Sequence, residues 1–135
     1  MGIHTCIVNH SACHNQALLH YSNMNTTAIG KDAEDTAAQW LRSQHFQVLA
    51  QNWRTRWCEI DIVAQKSSVL YFIEVRYRKS NAWGDGIESI TPKKQQQMEF
   101  AASLWLHQYK WKGDARICAI AASGDPVTIG ELVEL

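Results

Sequence analysis

Cys58-Glu59-Ile60-Asp61-Ile62-Val63 and, further on, Ile73-Glu74-Val75-Arg76 are two apolar runs that each carry acids where a strand would place core side chains. A buried carboxylate without a partner is costly, so such groups ordinarily have a cation or a strong hydrogen-bond donor beside them. Side chains alternate faces along a strand. Glu59 and Asp61 are therefore expected on one face of the first run, with Ile60 and Ile62 on the other. In the second, Phe72, Glu74 and Arg76 share a face opposite Tyr71, Ile73, Val75 and Tyr77. If the runs pair around the polar turn Lys66-Ser67-Ser68, Asp61 and Glu74 approach each other.

The order of elements follows from working outward. Residues 30–46 read as a helix, with Ala33, Ala37, Trp40 and Leu41 at helical spacing. Lys31, Asp32, Glu34 and Asp35 are expected in its first turn, and Thr26 or Thr27 as its cap. Residues 46–53, 57–65 and 69–77 read as three strands with links short enough for an antiparallel meander. Residues 81–90, with Gly84 and Gly86, read as a loop. Thr91-Pro92 opens a second helix running to about Tyr109, with Thr91 as N-cap and Pro92 in the first turn. Phe100, Leu104 and Trp105 are expected on its apolar stripe, and Gly113-Asp114 is expected to stop it. Residues 115–121 and 127–133 complete the series as strands around a Ser123-Gly124-Asp125-Pro126 turn. A helical crossover favours parallel pairing of the third and fourth strands. The fold class is α/β, a small mixed sheet flanked by helices.

Composition sets bounds. A chain of 135 residues, 46% of them hydrophobic, makes one domain with a real core. No apolar run reaches the roughly 18–20 residues needed to span a bilayer. Formal net charge is zero, so any nucleic-acid contact must come from a local basic face. No Asp, Glu, Lys or Arg precedes Lys31. That head lacks the basic and apolar segments of a secretory signal, and residues 1–27 read as a disordered extension preceding a domain of residues 28–135. Met24 is a candidate natural start. His4, Cys6, His10, Cys13 and His14 fit no familiar zinc spacing. Cys58 and Cys118 read as small buried hydrophobes. Cysteine usage resembles no secreted disulfide framework, which makes the cytoplasm the expected location.

Two neighbouring carboxylates repel unless a cation lies between them. Magnesium or manganese, hard ions that favour oxygen ligands, would be natural occupants. The plainer alternative is a solvated sheet face on which the acids pair with Arg76, Arg78 or Lys79. Spacing leaves both readings open.

Gly30-Lys-Asp-Ala-Glu34, Asn52-Trp-Arg54, Glu59-Ile-Asp61-Ile-Val63, Phe72-Ile-Glu74-Val-Arg76-Tyr-Arg78 and Thr91-Pro-Lys-Lys94 together resemble the YraN family. That family is bacterial, uncharacterised in function, and related in fold to Holliday-junction resolvases and other PD-(D/E)xK nucleases. The resemblance runs from about residue 28 to residue 133. It implies a restriction-endonuclease-like αβββαβ core. It also implies that Asp61 and Glu74 bind a divalent metal with the Val75 carbonyl, and that Glu34 brings a further acid to the same place. Glu34 reads equally well as a first-turn acid answering the helix dipole. Glu59 is expected to support the site from behind or to form a salt bridge.

Arg76 stands where the superfamily motif has lysine, Cys58 where the family usually has glycine, and Cys118 where many members have aspartate. Arg76 stays protonated at any working pH and cannot act as a general base. It can hold a phosphate or offset charge developing on phosphorus, which leaves activation of water to the metal. An ion pair with Glu74 is the plainer role for Arg76.

Arg54, Arg56, Arg76, Arg78, Lys79, Lys93 and Lys94 fall near strand ends and the start of the second helix, interleaved with Trp53, Trp57, Tyr77 and Trp83. This pattern suits phosphate contacts with base stacking, and equally suits solvated charges beside core aromatics. The function expected is metal-dependent phosphodiester hydrolysis of DNA, branched or single-stranded, with pairing of two copies by analogy with resolvase-like folds. The alternatives are a non-catalytic nucleic-acid-binding protein on the same fold and a protein-interaction module.

Overall fold

The computed structural model describes residues 25–79, 87 and 90–135. The head with its His and Cys set, Met24, Trp83, Gly84 and Gly86 lie outside the described residues. The elements are α1 (Asn25–Ser43), β1 (Gln47–Arg54), β2 (Glu59–Lys66), β3 (Val69–Arg78), α2 (Pro92–Gln108), β4 (Asp114–Ser123) and β5 (Thr128–Glu134). They form one five-stranded sheet in the order β1-β2-β3-β4-β5. The first three strands are an antiparallel meander. β3 and β4 run parallel across the α2 crossover, and β5 returns antiparallel to β4. This is the αβββαβ order expected, with β5 added at one edge.

The helices cover opposite faces of the sheet. Ala37, Ala38 and Leu41 of α1 pack on Ile62, Ala64, Ile73, Cys118 and Ile120. On the other face, Ala101, Ala102 and Trp105 of α2 pack on Leu49, Ala50, Trp53, Ile60, Val63, Leu70 and Phe72. Small residues on both helices let the backbones lie close to the sheet. β3 is thus buried on both faces, which explains its near-continuous apolar run.

The helix boundaries differ from the sequence expectation for identifiable reasons. α1 begins at Asn25 rather than Gly30 and has no acid in its first turn. Thr26 and Thr27 fall within it, so neither is a cap. It stops at Ser43, where the Phe46 N–H donates to the Leu41 carbonyl and the His45 N–H to that of Arg42. His45 adopts φ 69°, completing a Schellman stop without glycine. α2 starts as expected, with the Thr91 hydroxyl accepting from the Lys94 N–H at 3.1 Å and Pro92 in the first turn. It stops by the same device at Lys110, φ 52°, with the Trp111 N–H donating to the Leu106 carbonyl. Gly113 does not stop the helix but permits a close approach, since a Cβ there would come 2.9 Å from the Ser68 carbonyl oxygen.

Phe100 is not part of the buried stripe of α2. That stripe is Met98, Ala101, Ala102 and Trp105, whereas Phe100 is 50% exposed. Trp53, open to both a stacking and a core reading, takes the core one: it is fully enclosed and meets Trp105 edge-on at 5.5 Å. Phe72 contacts the same ring at 6.4 Å. Trp105 is therefore the keystone of the α2 face. Trp105→Ala is expected to cost about 3–5 kcal/mol of unfolding free energy, measured by urea denaturation. A loss under about 1 kcal/mol would show that this aromatic cluster does not anchor α2.

Candidate functional site at the parting of β2 and β3

The β2–β3 ladder pairs Lys66 with Val69 and continues to Ile62 with Ile73. One step further along that register stand Asp61 and Glu74. There the pairing gives way to a side-chain bond, in which the Val75 N–H donates to Asp61 Oδ2 at 2.8 Å. On the other side of β2, the matched pairs Gln51–Ile62 and Trp53–Ile60 flank Asn52 and Asp61. Asn52 is buried and adopts φ 51°, a left-handed conformation that Asn tolerates better than most residues. This local turn of the backbone breaks simple alternation. Ile60 packs on the α2 side while Ile62 packs on the α1 side, so the expected common face for the two isoleucines does not form. On β3 the alternation holds, with Phe72 and Ile73 in opposite clusters.

Asp61 keeps some exposure, yet protein surrounds its carboxylate closely enough to push its pKa well above the ordinary aspartate range. Burial is the main cause, reinforced by the charges of Glu74, Glu34 and Glu59 and opposed by the Val75 N–H. Glu74 is buried. Its Oε1 lies 3.3 Å from Lys94 Nζ and 3.9 Å from Arg76 Nε. Arg76 Nε is itself buried with no hydrogen-bond partner among the described residues.

Glu34 lies well inside α1, so the dipole role considered for it does not apply. Its Oε2 accepts from Asn52 Nδ2 at 2.6 Å. Burial raises its pKa, while the Asn52 bond and Arg54 lower it and Asp35 and Glu59 raise it further. Glu34 thus contributes charge to the field at Asp61 while its side chain is tied to β1. Among the described residues, no three His, Cys, Asp or Glu side chains converge closely enough to hold a metal ion. The oxygen donors at the parting of the strands are the Asp61 and Glu74 carboxylates, with the Val75 peptide between them.

The basic residues divide into two groups. Lys94 belongs to the carboxylate site, and Arg76 is half-buried beside Glu74. Arg54, Arg56, Arg78, Lys79 and Lys93 are exposed. Arg54 Nε lies 3.3 Å from a Glu59 carboxylate oxygen, which gives Glu59 the salt-bridge role expected as one option. The Arg56 guanidinium sits 4.8 Å over the Trp57 ring. The Tyr77 hydroxyl donates to the Gly124 carbonyl at 3.1 Å. Cys118 is buried in the α1 core, and its thiol is pushed up to about 11, chiefly by burial. From sequence alone Asn52 carries no site role, and Lys94 only a phosphate contact. The first depends on a backbone angle that sequence does not display. The second depends on how α2 docks.

A raised Asp61 pKa has a definite consequence for stability. Below the ordinary carboxylate range, both folded and unfolded chains carry Asp61 protonated and it contributes no pH dependence. As pH rises from there through the raised folded value, the unfolded state ionises more readily and native stability falls. In metal-free protein, Asp61→Asn is expected to match the natural chain near about pH 3 and to exceed it in stability near about pH 8. Paired urea denaturation curves with a chelator present measure this. A stability difference independent of pH would overturn the assignment.

The geometry is that of a chain with close relatives. The model of the uncharacterised protein family UPF0102 matches residues 33–122, more than half of the chain. A UPF0102 protein of Herpetosiphon aurantiacus is 39% identical over 70% of this chain and 80% of its own length. One from Klebsiella pneumoniae is 39% identical over 70% of this chain and 76% of its own. Another, from Pseudomonas fluorescens, is 42% identical over 58% of this chain and 66% of its own. The chain belongs to the uncharacterised protein family UPF0102, the YraN family.

Proposed function

We propose that the chain is a divalent-metal-dependent phosphodiester hydrolase acting on DNA. The observation that carries this reading is the Asp61–Glu74 pair, two carboxylates side by side at the parting of β2 and β3, where burial first and the charge of Glu74 second raise the Asp61 pKa. A cation between them would relieve their repulsion. The donor set fits magnesium or manganese, since both favour oxygen and magnesium commonly uses one or two protein carboxylates and keeps several waters. Asp61, Glu74 and the Val75 carbonyl would hold the ion. Glu34, fixed by Asn52, would act from the next layer through its charge. When bound, the ion supplies Lewis acidity toward phosphate and lowers the pKa of an attacking water.

Positioning and charge balance fall to side chains. The Val75 N–H fixes the Asp61 carboxylate in one orientation. The Arg76 guanidinium, half-buried beside Glu74, can turn a terminal nitrogen to a non-bridging phosphate oxygen and offset charge there as the bond to the leaving oxygen breaks. Arg54, Arg56, Arg78 and Lys93 offer exposed cations for the backbone of the strand. Among the described residues no helix is long and apolar enough to cross a membrane.

A non-catalytic nucleic-acid-binding role has one specific observation in its favour. Lys94 and Arg76 already lie against Glu74, so part of the acid charge is balanced without a metal. Calorimetric titration with magnesium and manganese separates the two readings. Hydrolysis requires binding heat that Asp61→Ala and Glu74→Ala abolish, with cleavage of flap, four-way or single-stranded DNA. Arg76→Ala is expected to lower the cleavage rate roughly 100- to 1,000-fold, and Arg76→Lys to keep part of it. Absence of both metal heat and cleavage would leave the binding role; an unaffected Arg76→Ala enzyme would remove Arg76 from the mechanism.

A further inference from the structure

Beside the carboxylates, the β1–β2 turn and the N-terminal half of α2 enclose a cavity of about 370 Å³. Its volume falls in the range of small-ligand sites. Arg54, Trp57, Glu59, Lys94, Gln97 and Phe100 are among its lining residues. Trp57 is 69% exposed and Phe100 50%, the two large hydrophobic side chains left open to solvent among the described residues. Both line this one cavity.

Trp57 is held outward by an ordered turn. The Thr55 hydroxyl accepts from the N–H groups of Trp57 and Cys58 at 3.1 and 3.2 Å. The Thr55 N–H donates to the Cys58 carbonyl at 2.9 Å. A fixed backbone that presents an indole to water lowers the ordering cost of binding against it. Phe100 lies on a packed helix, away from its buried stripe. The backbone that carries both aromatic walls is therefore ordered, and Arg54 and Lys94, paired with Glu59 and Glu74, accompany them.

We infer that this cavity takes one unstacked nucleobase, so that the substrate class is DNA with an unpaired nucleotide beside the scissile linkage. This rests on the hydrolase reading above and narrows it. Aromatic faces stack on any base and need no particular sequence. In an intact duplex the base faces are covered by their neighbours, so a base reaches such a cavity only from a single strand, a junction or a flipped position. The cations suit the accompanying phosphates, while Gln97 and Glu59 offer hydrogen-bonding groups at the wall for a base edge. The cavity also shares two residues with the acid site: Lys94 pairs with Glu74, and the Glu59 charge reaches Asp61. A protein partner would need an interface of about 1,000 Å² or more; a cavity of this size with charged walls fits a single planar group better.

Fluorescence anisotropy of the full chain with labelled single-stranded, flapped and fully paired DNA tests this, with a chelator present so that no cleavage intervenes. The natural chain is expected to bind single-stranded and flapped DNA more tightly than the duplex. Trp57→Ala should weaken binding to the unpaired substrates roughly 5- to 100-fold, and Trp57→Phe should restore much of it. Phe100→Ala should act in the same direction, and Asp61→Asn should keep the preference for unpaired DNA. Unchanged single-strand affinity in both alanine variants, or an equal loss on single strand and duplex, would overturn the inference. In a parallel assay with magnesium or manganese in place of the chelator, cleavage that persists with unchanged strand preference in Trp57→Ala overturns the cavity alone. A Trp57-dependent preference without cleavage of any substrate overturns the hydrolase alone, and no binding to any DNA overturns both.

Discussion

The bond from the Val75 N–H to the Asp61 carboxylate governs the site because it lies where two demands meet. A backbone N–H in a sheet must find an acceptor. Here the acceptor is a carboxylate, and the β2–β3 ladder stops one step earlier. The side chain that satisfies the sheet is thereby drawn in beside Glu74, where its ionised form is disfavoured. The bond pulls the other way, favouring the charged form. The site is therefore a compromise between sheet continuity and charge burial, held by the rigid strands on either side.

The two helices then determine what surrounds that compromise. α1 docks through Ala37, Ala38 and Leu41, and its Glu34 reaches Asn52 across the gap to β1. α2 docks through Ala101, Ala102 and Trp105, and its first turns carry Lys94 to Glu74. Each helix thus delivers one polar side chain to the parting of the strands, an acid from one face and a base from the other. The two core clusters serve as positioning devices for the site, since displacing either helix would move a charge. This is why packing and electrostatics cannot be separated in this protein.

Much of this was legible in the sequence, and the reasons differ by residue. Element order and the parallel β3–β4 pairing follow from strand periodicity and a helical crossover. Thr91-Pro92 marks its helix start because the capping chemistry is local. Asp61 and Glu74 stood out as acids in apolar strands. Helix ends were less legible because His45 and Lys110 adopt a left-handed conformation more usual for glycine. Phe100 lies at the surface where a core place is expected, and Trp53 takes the core one of its two open readings, because burial depends on which side of a strand or helix meets its neighbour. At Trp53, the backbone turn at Asn52 changes that side. At Phe100, the buried α2 stripe is confined to Met98, Ala101, Ala102 and Trp105, which leaves the Phe100 side of the helix to solvent.

The same docking makes Lys94 the hinge between the acid pair and the cavity. It contacts Glu74 at 3.3 Å and also forms part of the cavity wall. Arg76 reaches Glu74 along the same strand face on a half-buried side chain, whereas Lys94 reaches it from α2 on a flexible four-carbon stem. An ion placed between Asp61 and Glu74 would repel both cations. Lys94 also lines the cavity, and on the proposed reading it would face the phosphates of a strand whose base lay against Trp57 and Phe100. On that reading, the cation that pairs with Glu74 would become a substrate contact once a metal took its place. That link follows from one lysine in the first turn of α2, set by the Thr91 cap that fixes where the helix begins.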